Sequence, residues 1–201
     1  MRHNLRNKLT IIDGLTSEIR RLATDDRIEE FADGVLAASE RIDDIVERVR
    51  EFDHLREQDR TETVAVAELL ERIAREVAEA DDAPEVRTAL DPVTVDTNRA
   101  LLRLVIEQLV ENALEHGASP VCLTTTETAD GGVDIAVHDA GPGIPRDEFE
   151  PVIEGTATQL EHTTGIGLLI AKWGVDELGG EIAFESDDEG TTVTVRIPVG
   201  L

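Results

Sequence analysis

Apolar residues in the first quarter of the chain recur with a helical period. Leu5, Leu9, Ile12, Leu15, Ile19 and Leu22 are spaced by four, three, three, four and three, which sets them on one stripe of a helix. Asp26 with Glu29 three residues later reads as a capping arrangement that opens a second helix. Behind it, Ile28, Phe31, Val35, Ala38, Ile42, Ile45, Val49 and Phe52 alternate spacings of three and four, the seam of a left-handed coiled coil or bundle. The polar break at Thr24 and Asp25 is short, so the two helices are antiparallel neighbours. Two helices bury too little apolar surface to offset the entropy of ordering them. Self-association into a four-helix bundle is the expected remedy, and packing on the rest of the chain is the alternative.

Near residues 59–62 the pattern shortens into β-rich stretches interleaved with helices. Alternation and β-branched content predict strands over 63–66, 86–90, 93–95, 121–126, 133–138, 182–185 and 192–197, with a hairpin turn at Gly131 and Gly132. Apolar stripes predict helices over 67–80, 98–116 and 166–178. The expected fold is α+β: a helical hairpin over residues 1–60, dimeric as a four-helix bundle, then an α/β sandwich over 61–201.

Charge adds to this picture. The chain carries 44 acidic against 19 basic residues, a formal −25, and Lys8 and Lys172 are its only lysines. That balance argues against nucleic acid as a partner. Self-repulsion on this scale loosens a compact state in dilute buffer, yet at 1 M salt the Debye length falls to about 3 Å. A salt-rich cytoplasm is the expected setting. No apolar run is long enough to cross a bilayer, and the lone Cys122, in an alternating apolar stretch, is expected to be a buried structural thiol in a reducing compartment.

Three segments carry candidate chemistry. Gln108 and Asn112 lie one turn apart on the helix that ends at His116, and an Asn side-chain oxygen can ligate Mg²⁺. Asp139-Ala-Gly141-Pro-Gly143 stands at a strand end, where the carboxylate can accept from an exocyclic amino group while glycines let backbone approach a planar ring. Gly165 and Gly167 open a helix, whose first N–H groups suit a phosphate. Each segment alone is weak, but their order and spacing together are specific.

Taken together, these residues resemble the ATP-binding domain of the sensor histidine kinases, within the superfamily shared with gyrase, Hsp90 and MutL. Gln108 to Asn112 matches the asparagine box, Asp139 to Gly143 the first glycine box, Gly165 to Leu168 the second, and Gly190-Thr191 the final adenine-side turn, while Asp96 and Leu102 also fit. The resemblance implies Asn112 as a Mg²⁺ ligand, Asp139 as the adenine reader and residues 144–164 as a short mobile lid. It implies ATP contacts at Gln108, Asn112, Glu115, His116, Asp139, Gly141, Gly143, Ile144, Gly165, Ile166, Gly167, Leu168 and Thr191. The stretch His3 to Leu9 resembles the phosphoacceptor box, which implies autophosphorylation of His3, passage of the phosphoryl group to a response-regulator aspartate, and a water-positioning role in phosphate removal for Asn7.

Departures from the pattern matter. The commonest box has an acid after the histidine and a proline five residues on, whereas this chain has Asn4 and Lys8; Glu115 replaces a lysine that many relatives place near the phosphates; and the lid offers only Arg146. Neutralisation of ATP then rests heavily on Mg²⁺. Residues 1–22 hold five basic against two acidic side chains, a docking face for an acidic receiver domain. Relatives carry helix upstream of the histidine, so the chain is expected either to be cut from a longer sensor or to work without an input domain. Two other readings stay open: a catalytically weak ATP-binding interaction or phosphatase module, and a serine kinase of the anti-sigma-factor type.

Overall fold

The computed structural model describes residues 2–23, 25–58, 60–79, 84–145, 149, 150, 152 and 164–199, and the side chains of residues 2–8, 26, 164 and 165 lie outside that description. The chain divides into two compact units, Met1–Glu51 and Phe52–Leu201, with the division inside the second helix.

In the first unit, α1 (Arg2–Leu22) and α2 (Asp26–Glu57) are the expected helices. The cap of α2 is Asp25, not Asp26. Asp25 Oδ1 accepts from Arg27 N at 3.0 Å and its carbonyl from Ile28 N at 2.9 Å, because Asp26 is already helical. The apolar stripe also plays a different part from the one its spacing suggests. Within one chain the buried positions are Leu9, Thr16, Ala32 and Ser39, small or polar for the most part. Ile12, Leu15, Ile19 and Leu22 of α1 and Ile28, Phe31, Val35 and Ile42 of α2 are exposed, Phe31 at 68% and Leu15 at 63%. The predicted seam is therefore an outward apolar face of the hairpin.

The second unit begins with the last turns of α2. Phe52 is buried, its ring 6.0 Å from that of Trp173, with the Arg56 guanidinium 5.9 Å from the Phe52 centroid. Asn98 Nδ2 donates to the carbonyl of Leu55 at 3.3 Å. These contacts assign the end of α2 to the second unit.

After them come β1 (Glu62–Ala65), α3 (Val66–Ala78), β2 (Val86–Leu90), β3 (Thr94–Thr97), α4 (Arg99–His116), β4 (Val121–Glu127), β5 (Val133–Asp139), α5 (Thr164–Glu177), β6 (Glu181–Asp187) and β7 (Gly190–Ile197). All expected strands and helices of this unit are present, their ends shifted by at most two residues. β1 and β3 pair antiparallel as a separate ribbon, and the main sheet runs β2-β4-β5-β7-β6, parallel only between β2 and β4. Strand alternation explains the layers. Val121, Leu123, Val133, Ile135, Val137, Val193, Val195 and Ile197 point into the core against Leu70, Leu102, Ile106, Leu109 and Leu168 of the helices, while Cys122, Thr124, Ala136, His138 and Thr194 lie on the opposite, half-buried face. Cys122 is thus half-buried on the open face, not in the core as expected. The β4–β5 turn uses Gly131 as expected: Gly131 N donates to Thr128 O and Thr128 N to Gly132 O, both at 2.9 Å.

Candidate functional site

Two elements converge at one end of the sheet. Helix α4 is started by Asn98, whose Oδ1 accepts from Leu101 N at 3.1 Å, and its register is set by the core side chains Leu102, Ile106 and Leu109. That register leaves Gln108 and Asn112 buried at its far end, 4% and 9% exposed. Strand β5 ends on Asp139, itself 6% exposed, and Thr191 of β7 is its register partner at 3%. Asn112, His116, Gly117, Asp139, Gly143, Ile144 and Thr191 line one pocket between them. Six of these were expected from the sequence.

Asp139 is oriented before any ligand arrives, because its Oδ1 accepts from Gly141 N at 2.8 Å. Among the described residues the other carboxylate oxygen has no hydrogen-bond donor, which leaves it for one such as an exocyclic amine. Gly117, which sequence reasoning missed, makes this geometry possible. A Cβ at Gly117 would collide with the Asp139 carboxyl group, and one at Gly141 would come within 2.6 Å of the Gly117 Cα. A glycine after a helix end signals a cap, so nothing local reports the approach of a second segment.

A magnesium ion fits the donor set. Among the described residues the Asn112 amide has no hydrogen-bond partner, although it is nearly buried and faces the pocket. Among the described residues no cluster of three or more His, Cys, Asp or Glu side chains could hold a metal unaided. A single amide oxygen supplemented by phosphate and water oxygens is the coordination Mg²⁺ accepts.

The remaining expected residues are less uniform. Gln108 Nε2 donates to Glu111 Oε2 at 3.2 Å, and a Cβ on Gly167 would lie 3.5 Å from Gln108 Oε1, so the first turn of α5 crosses α4 there. Ile166 and Leu168 are buried, 9% and 2% exposed, which leaves their backbone and not their side chains for a ligand. Glu115 points outward with a 64% exposed side chain, its carboxylate 3.7 Å from His116 Nε2. The side chains of His3, Asn7 and Gly165's neighbour Thr164, and residue Arg146, lie outside the described residues. Of the expected lid segment, residues 144, 145, 149, 150, 152 and 164 are described. Phe149 stacks on Phe184 at 5.5 Å with an 11° interplanar angle, and Val152 is buried. Phe149 is thus packed against β6, and Ile144 and Val152 against the core.

Several known proteins are similar to this chain in sequence or in fold. The signal transduction histidine-protein kinase AfsQ2 of Streptomyces coelicolor is 29% identical over 224 residues, spanning 98% of this chain and 40% of that protein. The chain spans less than half the length of AfsQ2 and of other curated relatives it matches. Among solved structures, the Acinetobacter baumannii histidine kinase AdeS superposes with a TM-score of 0.66 at 19% identity, over 99% of this chain and 98% of that one. Full-length ShkA in complex with AMPPNP gives a TM-score of 0.67 at 20% identity, over 98% of this chain and 44% of that one. The family profile for histidine kinase-, DNA gyrase B- and HSP90-like ATPases matches residues 97–201, from the last residue of β3 through the pocket to β7 and the end of the chain. With that match over a pocket built from Asn112 and Asp139, the chain belongs to the histidine kinase-, DNA gyrase B- and HSP90-like ATPase family.

Proposed function

We propose that this chain is an ATP-dependent protein-histidine kinase core, with residues 1–60 as the dimerisation and phosphoacceptor hairpin and residues 61–201 as the catalytic ATP-binding domain. The observation that carries the reading is the pocket in which a nearly buried Asn112 amide, unpaired among the described residues, and a pre-oriented Asp139 carboxylate face one cavity. Asp139 recognises the purine amino group, Asn112 contributes an oxygen to Mg²⁺, and the backbone of the α5 first turn meets the phosphates. Bound magnesium would neutralise phosphate charge, the more so because Glu115 stands where many relatives place a lysine. A ring nitrogen of His3 forms a bond to the γ-phosphorus as the bond to the β-phosphate oxygen breaks, and ADP leaves. Alignment and charge stabilisation dominate such a transfer, so Asn4 in place of an acid does not forbid it.

The exposed apolar face of the hairpin supports a homodimer, and the basic balance of residues 1–22 supports docking of a response-regulator receiver, whose phosphorylated aspartate sits among carboxylates. A salt-rich cytoplasm suits the acidic surface; among the described residues no helix is long and apolar enough to cross a membrane. The test is a γ-labelled ATP assay in molar KCl. Wild type acquires an acid-labile label that His3→Gln abolishes. An acid-stable label on a partner would instead favour the serine kinase reading, and no label in either version would leave an ATP-binding interaction or phosphatase module.

A further inference from the structure

Ile144 lines the pocket as the first residue of the expected lid segment, and a side chain outside all the sequence motifs holds it. Ser186 lies near the end of β6, opposite Thr191 in the β6–β7 register. Its Oγ accepts a hydrogen bond from Ile144 N at 2.6 Å and stands 3.1 Å from Thr191 Oγ1. Both partners line the pocket. Gly143 packs on the same turn: its φ is +78°, and a Cβ there would collide with the Asp187 carbonyl and come within 2.9 Å of Ser186 Oγ. The glycine loop therefore rests on β6, with a serine hydroxyl as the acceptor for its last amide.

A hydroxyl has one proton and two lone pairs. One lone pair takes the Ile144 N–H, and what remains is shared with Thr191. Whichever of the two hydroxyls donates, the contact sets the Thr191 rotor and so what that side chain offers to the pocket. The stacking of Phe149 on Phe184, two residues before Ser186, ties Phe149 to the same strand.

We propose that Ser186 is a positioning residue for the nucleotide site, fixing the Ile144 amide at the base of the lid and the Thr191 hydroxyl at the purine side. The proposal rests on the nucleotide-binding reading above. The test measures Mg-ADP binding by calorimetry and amide hydrogen exchange at Ile144 without nucleotide, on the full chain in molar KCl. Ser186→Val and Ser186→Thr match in shape and strand preference, so their difference reads the hydroxyl. Ser186→Val and Ser186→Ala are expected to weaken ADP binding and to speed exchange at Ile144 by about ten-fold each, whereas Ser186→Thr stays within about two-fold of wild type. If Ser186→Val fails to fold, the Ala and Thr variants read the same difference. Equal ADP affinities in the Thr and hydroxyl-free variants, or unchanged Ile144 exchange in the latter, overturn the proposal while the nucleotide reading stands. A folded wild type that takes up no ADP overturns both.

Discussion

Asp139 has one oxygen already engaged by the Gly141 amide, so the carboxylate meets a ligand in a fixed orientation. Asp139→Asn keeps the shape and removes the charge-assisted bond. It is expected to weaken Mg-ADP binding by about 10- to 100-fold in calorimetry with the fold intact by circular dichroism, and unchanged affinity would contradict the assigned role. Gly117→Ala drives a methyl group into that carboxylate. Lower thermal stability together with at least about ten-fold weaker binding is expected, since relief requires Asp139 to move. Asn112, Asp139 and Gly143 were legible in the sequence because each carries its chemistry in its own side chain or in the lack of one. Gly117 and Ser186 were not, because their roles arise from approach between segments far apart in the chain, Ser186 to Ile144 across 42 positions.

At the scale of elements, periodicity identified both hairpin helices and their apolar stripe, but spacing is the same whichever surface covers it. The structure shows that Leu9, Thr16, Ala32 and Ser39 lie inside the hairpin while Leu15, Ile19, Phe31 and Val35 lie outside. An exposed stripe of this size on two adjacent helices is a surface that the proposed homodimer would cover. Light scattering in molar salt is expected to give twice the 22.0 kDa chain mass for wild type and the single-chain mass for Leu15→Glu/Phe31→Glu. ADP affinity should stay unchanged in that variant, because neither residue belongs to the second unit. A dimer that survives both substitutions would place the interface elsewhere. The strands were the most legible elements, since the core face of β4, β5 and β7 repeats at every second residue.

The whole molecule is governed by its formal charge of −25. Repulsion among exposed carboxylates opposes compaction at low ionic strength and is screened over a few ångströms in molar salt. The thermal midpoint is expected to rise by several degrees between 0.1 and 2 M KCl, and a flat response would show that the surface charge has little hold on stability. The same high-salt condition serves the central claim, that the pocket between α4 and β5 takes a magnesium nucleotide. Titration of ATP into the folded chain in 2 M KCl, followed by calorimetry with and without Mg²⁺, tests it most directly. Saturable one-site binding that weakens without Mg²⁺ and disappears in Asn112→Ala is the predicted result; folded wild-type protein that gives no binding heat with magnesium present, and protects no amide near Asp139 from exchange, would contradict it.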